Sequence, residues 1–195
     1  ILYDPAVFSG EPSMAMYRPL VVLSYVFNYA LGAHSASGFV LFNLFLHAGV
    51  SLFAFLFLLG WTGDRWGAWG AAVLFAVHPV NAQVVNYVSS RSESMAALGV
   101  LCALYYALNG RHKPSWMGYG LGLLAKSQAV VLLPLLWVIR PIKWASIRPY
   151  IPYGLITMLF MSVIYGNEFL PRSLAQEVRP YAVHFYTQIK ALVYY

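Results

Sequence analysis

The sequence predicts an all-α protein, a polytopic transmembrane helical bundle of roughly five to seven membrane segments. Three observations carry that expectation. The composition is 61% hydrophobic, 17% aromatic and 9% charged with a mean hydropathy of +0.65, whereas soluble domains are about a quarter charged. The apolar residues gather into runs close to the length of a membrane span. The basic residues sit mostly in the short connectors between those runs, where they set orientation.

Taken in order, residues 1–18 are polar and turn-rich and read as a non-cytoplasmic loop. PLVVLSYVFNYALG, 19–32, is short of the roughly 20 residues a span needs. It is expected to be an interfacial helix or one packed on the bundle. SGFVLFNLFLHAGVSLFAFLFLLG, 37–60, is the most secure span, and it ends at the aromatic and charged connector WTGDRW. A second apolar segment covers 67–79 and a third 94–110, so the polar stretch 79–94 reads as the loop joining them. The run 116–139 carries Lys126-Ser127-Gln128 near its midpoint and has two readings, one span with a charge in its middle or a pair of short helices. Residues 150–166 supply a further span, and 167–195 read as a non-cytoplasmic loop followed by the start of another helix. The whole chain, 1–195, is taken as one membrane domain with its main bundle over 37–166, and as a fragment of a longer protein.

The net charge of +6 follows from this topology and needs no nucleic-acid partner. Arg65, Arg111, Lys113, Arg140, Lys143 and Arg148 lie in three connectors with a single acid, Asp64, which makes those connectors cytoplasmic. The remaining five of the six acids then fall on the other face. A lone cysteine, Cys102, excludes an internal disulfide and a thiolate-rich metal site, and no metal or other cofactor is expected. No phosphate-binding glycine loop, dinucleotide fingerprint or zinc-protease motif is present.

Lys126 is the costliest side chain to place, because a lysine at bilayer depth costs roughly 2.5 to 3.5 kcal/mol and usually faces a cavity or a partner. Arg91, His78, Arg18 and Lys126 on one face would form a cationic site suited to a phosphate. Arg91 and Glu93 also fit a solvated pair at a helix start. Asp4 and Glu93 are acids on the same side, able to serve as general base toward a hydroxyl if they come within hydrogen-bond reach, or else to be solvated and paired with arginine. Asn43, His47 and Ser51 recur every fourth residue on the secure span, and interhelical hydrogen bonding is their expected role.

YRPLVVLSYVFNYALG at 17–32, GFVLFNLFLHAGVSL at 38–52, FAVHPV with the following SSRSE at 75–93, and LLAKSQAVVLLPLL at 123–136 come in an order and spacing that resembles a known family. It is similar to the membrane module of the GT-C glycosyltransferases that carry tetratricopeptide repeats, the animal transmembrane O-mannosyltransferases and their bacterial relatives, with the bacterial side favoured. The resemblance implies transfer of a sugar from a polyprenyl-phosphate donor to a hydroxyl of a protein or glycan, on the non-cytoplasmic face of a bacterial inner membrane. Matched by position, it implies Asp4 and Glu93 as catalytic acids and Arg18, His78, Arg91 and Lys126 around the donor phosphate. The chain departs from the pattern at Pro5, where the family has a second adjacent acid, and at Gln83, where it has an acid after the His-Pro pair. Those departures keep a second function open, a non-catalytic subunit of a larger membrane complex. A third, a transporter using Lys126 and the proline-interrupted helices as a path, lacks an inverted repeat.

Overall fold

The structure is a computed structural model that describes residues 17–31, 35–139, 147–166, 185–187 and 189–190. Among the described residues every element is helical. Helix α1, Pro19–Ala30, opens with proline in its first turn, where the missing N–H costs nothing, and buries Pro19, Val21, Ser24 and Asn28 along one face. Helix α2, Ala36–Thr62, runs 27 residues, about 40 Å, and stops at Gly63, whose φ of 73° gives the left-handed turn a helix end favours. Asp64 then accepts a hydrogen bond from the Trp66 N–H at 3.0 Å and starts α3, Arg65–Val77.

The stretch expected to be a loop is mostly helical. After His78 come a 3₁₀ turn, Pro79–Asn81, the short helix α4, Ala82–Asn86, and a second 3₁₀ turn, Val88–Ser90, which leads directly into α5, Arg91–Leu108. Short helices leave carbonyls unpaired at their ends. Asn43 of α2 supplies the missing donor, giving Nδ2 to the Val85 and Tyr87 carbonyls at 3.2 Å each.

Helix α5 is the centre of the bundle. It runs parallel to α2, with Arg91 on Asn43 at one end and Phe53 of α2 6.0 Å from Tyr105 toward the other. It runs antiparallel to α6, His112–Ala125, so closely that a Cβ placed on Gly99 would lie 2.7 Å from the Gly118 carbonyl oxygen and from the Gly122 Cα. Small residues at spacings of four let two helix backbones meet in this way. Helix α8, Ile151–Gly166, packs on the other side of α6 through two polar pairs, one buried and one partly buried. Ser115 donates to the Ala103 carbonyl and accepts from the Tyr153 hydroxyl at 2.6 Å, and Tyr119 meets Thr157 at 2.6 Å.

The run 116–139 is broken at Lys126, which is extended with φ −160° and ψ 132°. A 3₁₀ segment, Ser127–Val131, and helix α7, Leu132–Ile139, follow. A straight helix would separate residues 122 and 129 by about 10 Å, yet a Cβ on Gly122 would lie 3.2 Å from the Ala129 Cβ. The chain therefore folds back at Lys126, and the pair of short helices is the reading that holds.

Among the described residues two helical segments, Ala36–Thr62 and Arg148–Gly166, are long and apolar enough to cross a membrane, or three if Arg65–Val77 and Pro79–Asn86, bent by 50°, count as one span. This corrects the expectation of five to seven. The segments expected to span at 67–79 and 94–110 form α3 and α5, neither of which alone is long and apolar enough to cross, and the run 116–139 is divided at Lys126, with Ser127–Ile139 too short. The stretch 19–32, expected to lie at the interface or on the bundle, forms the short helix Pro19–Ala30.

Candidate functional site

Glu93 stands in the first turn of α5 and Lys126 follows the last residue of α6, so the antiparallel packing of these two helices carries both to the same end. Lys126 Nζ lies 3.0 Å from Glu93 Oε1, and the side chains are 16% and 54% exposed, so the ammonium is mostly enclosed while the carboxylate meets solvent. The pair sits at a cavity of about 430 Å³ whose walls run down α5 through Ala96, Ala97, Val100 and Leu101 and across to Ala129 and Val131. One end of the cavity is charged, and apart from Gln128 its walls are apolar. The glycine contacts that bring α5 and α6 together are what make the pair possible.

Arg18 reaches the same end, its Nη1 donating to Ser92 Oγ at 3.3 Å, one residue before Glu93. Sequence position alone gave Ser92 no role. Arg91 goes elsewhere. It is fully buried, and its three nitrogens are occupied: Nε on Asn43 Oδ1 at 2.9 Å, Nη1 on the Ser24 carbonyl and hydroxyl at 3.3 Å each, Nη2 on Asn28 Oδ1 at 3.0 Å and the Phe39 carbonyl at 3.2 Å. Tyr25, Phe39 and Phe42 cover the guanidinium with ring centroids at 4.8, 5.3 and 4.4 Å. Expected beside a phosphate, Arg91 is placed instead where it ties α1 and α2 to the start of α5. Ser24 and Asn28, four apart on α1, are the sequence signal for this nest, a polar pair on the buried face of an apolar helix.

His78 lines a separate groove of about 280 Å³ with His47, Asn81 and Asn86. Its Nδ1 accepts from the Val80 N–H at 3.2 Å and so caps the turn that follows. The polar stripe on α2, expected to join helices through all three members, does so through two of them. Asn43 holds α4 and Arg91, and His47 Nε2 donates to the Ala76 carbonyl at 3.0 Å. Ser51 bonds back to the His47 carbonyl of its own helix at 2.9 Å. Of the six candidate residues, then, Arg18, Glu93 and Lys126 share one end of the bundle, Arg91 lies in the core beneath it, His78 lies in a neighbouring groove, and Asp4 falls outside the described residues. Gln83 is exposed on α4. Among the described residues no three His, Cys, Asp or Glu side chains come together.

Comparison with known proteins adds a relationship to this geometry. The similarity is to protein O-mannosyl-transferases. Over 164 residues the chain is 29% identical to Protein O-mannosyl-transferase TMTC2 of Mus musculus, a match covering 75% of the chain and 20% of that protein. It is 34% identical over 125 residues to TMTC4 of Homo sapiens, covering 57% of the chain and 15% of the relative, and 37% identical over 95 residues to TMTC3 of Mus musculus, covering 49% and 10%. The chain thus spans a fifth or less of the length of these curated relatives. No family model matches the chain, and no solved structure matches it. The apolar helices mark a membrane protein, and its sequence is similar to part of the protein O-mannosyl-transferases.

Proposed function

We propose that the chain is part of a GT-C-type membrane glycosyltransferase that moves a sugar from a polyprenyl-phosphate donor to a serine or threonine hydroxyl of a protein, at the non-cytoplasmic face. The observation that carries this reading is the Glu93–Lys126 pair at the charged end of a cavity whose remaining walls, Gln128 apart, are apolar. An amphiphilic phosphate suits that shape, with its anion at Lys126 and its hydrocarbon against Ala97, Val100, Leu101 and Val131. Similarity to protein O-mannosyl-transferases supports mannose as the sugar and a protein as the acceptor.

The chemistry asks for a base on the acceptor and positive charge on the leaving group. The acceptor oxygen bonds to the anomeric carbon as its proton passes to a carboxylate, and the bond from that carbon to the phosphate oxygen breaks with its electrons left on the phosphate. Lys126, with Arg18 one residue-contact away through Ser92, offsets that developing charge. Glu93 is the counter-ion of Lys126 until a phosphate competes for the ammonium, which releases a carboxylate beside the reacting centre. Asp4 and Glu93 are the two acids proposed as base, and His78 is proposed on the donor side. Arg91 contributes as a positioning residue, holding the helix start that carries Ser92 and Glu93.

The test uses full-length protein in membranes, a radiolabelled mannosyl-phosphoryl-polyprenol and a serine/threonine peptide. Lys126→Met should lower kcat by about 100-fold while leaving the protein folded, and Asp4→Asn or Glu93→Gln should remove turnover. Wild-type protein that transfers no sugar from any polyprenyl-phosphate donor would overturn the enzymatic reading in favour of a non-catalytic subunit. Unchanged turnover in Lys126→Met would overturn the placement of the site.

A further inference from the structure

The opposite end of the bundle carries a second arrangement of charge. Arg111 and Lys113 stand exposed at the start of α6. Trp116, which shares a helix face with His112 and Lys113, stacks on the His112 ring at 6.3 Å and donates Nε1 to the Pro149 carbonyl at 3.1 Å. Arg148, also exposed, directly precedes that proline. The indole is therefore a strut that joins the start of α6 to the turn before α8 and gathers three cations on one rim.

Among the described residues none of the three is in an ion pair. The described acids are Asp64 and Glu93. Asp64 is turned onto the Trp66 N–H of its own helix, and Glu93 is paired with Lys126 at the other end. Around the same end α2 runs out and α3 begins, with Trp61, Trp66 and Trp69 exposed by 55%, 79% and 56%. Exposed tryptophans concentrated at one end of apolar helices mark the level of lipid head groups. A cationic rim at that level, where Arg65, Arg111, Lys113 and Arg148 outnumber Asp64, the one described acid at this end, and where an amphipathic ring braces the turn, matches one kind of partner.

We propose that Arg111, Lys113 and Arg148, arranged around Trp116, bind the phosphate head group of an anionic phospholipid in the leaflet at this end. Arginine donates two parallel N–H groups to a phosphate and lysine adds a point charge, while basic pockets between transmembrane helices select anionic over zwitterionic lipids. The site is separate from the Glu93–Lys126 cavity and does not rest on the function proposed for it.

The experiment is lipid retention by the purified full-length protein, read by native mass spectrometry after exposure to equal phosphatidylglycerol and phosphatidylcholine. Phosphatidylglycerol should be retained on the order of tenfold better, and the triple variant R111Q/K113Q/R148Q should lose that preference while Lys126→Met keeps it. No preference in the wild type, or the same preference in the triple variant, would overturn the site. Loss in Lys126→Met instead would assign the lipid to the other cavity. If the triple variant does not fold, the exposed single variants Arg111→Gln and Arg148→Gln are read in its place, and an unchanged preference in both would overturn the site. Retention that falls with added sodium chloride supports a head-group contact, whereas retention indifferent to salt, or displacement by inorganic phosphate in preference to lipid, overturns it.

Discussion

Arg91 and Lys126 are both cations set in apolar sequence, but Arg91 is fully enclosed by neutral acceptors and aromatic rings, whereas Lys126 keeps a partly open carboxylate partner. Taking the guanidinium away strands Asn28, Asn43 and Ser24 in the core, so Arg91→Ala should cost about 3 to 5 kcal/mol. Arg91→Lys keeps the charge but cannot span five acceptors, and should cost about 2 kcal/mol. Lys126→Met removes an ion pair whose acid is half in solvent, worth about 0 to 1 kcal/mol. Thermal unfolding of full-length protein in detergent checks the ordering, and equal losses at the two positions would sink it. The sequence marked both cations because charge in an apolar run is visible in one dimension. It could not tell them apart, since the partners of Arg91 on α1 lie 63 and 67 residues away and the contact between Glu93 and Lys126 bridges 33.

Helices α5 and α6 meet where neither has a side chain. A Cβ on Gly99 would stand 2.7 Å from backbone atoms of Gly118 and Gly122, and backbone cannot rotate aside. Gly99→Ala should therefore force the helices apart and cost about 1 to 3 kcal/mol. Gly154 on α8 has nothing within 4 Å, so Gly154→Ala should be neutral or stabilise by up to about 1 kcal/mol. A melting midpoint lowered only in the first variant is the expected result, and because α5 and α6 jointly present Glu93 and Lys126, donor turnover should fall with it. At this scale the sequence was legible wherever one long apolar run makes one helix. The spans read at 37–60 and 150–166 are α2 at Ala36–Thr62 and α8 at Ile151–Gly166. It was less legible at 79–94, where polar residues suggested a loop but His78 and Asn43 cap a series of short turns. Capping from a distant helix leaves no local signature.

Hydropathy measures how much of a chain is apolar, and a chain that turns round inside an apolar run looks the same as one that continues. The reversal at Lys126 takes 116–139 out of the crossing segments among the described residues, and it also removes a conflict over orientation. If 116–139 were a single crossing, the basic connectors before and after it would lie on opposite sides of the membrane. With Ala129 back against Gly122, and Val131 beside Val100 and Leu101 about two turns along α5 from Glu93, the chain returns toward the end it came from. The Trp116 to Pro149 hydrogen bond then finds Arg148 next to the start of α6, at that same end. Single cysteines introduced in a Cys102→Ala background can read this directly with a membrane-impermeant maleimide. Lys113→Cys and Ile147→Cys, both exposed positions, should label from one side of sealed vesicles, and Ser89→Cys and Gln128→Cys from the other. Labelling of Lys113→Cys and Ile147→Cys from opposite sides would restore the single crossing and dismantle the pairing of Glu93 with Lys126 on which the proposed site rests, because a helix continuing past Lys126 cannot also fold Ala129 onto Gly122.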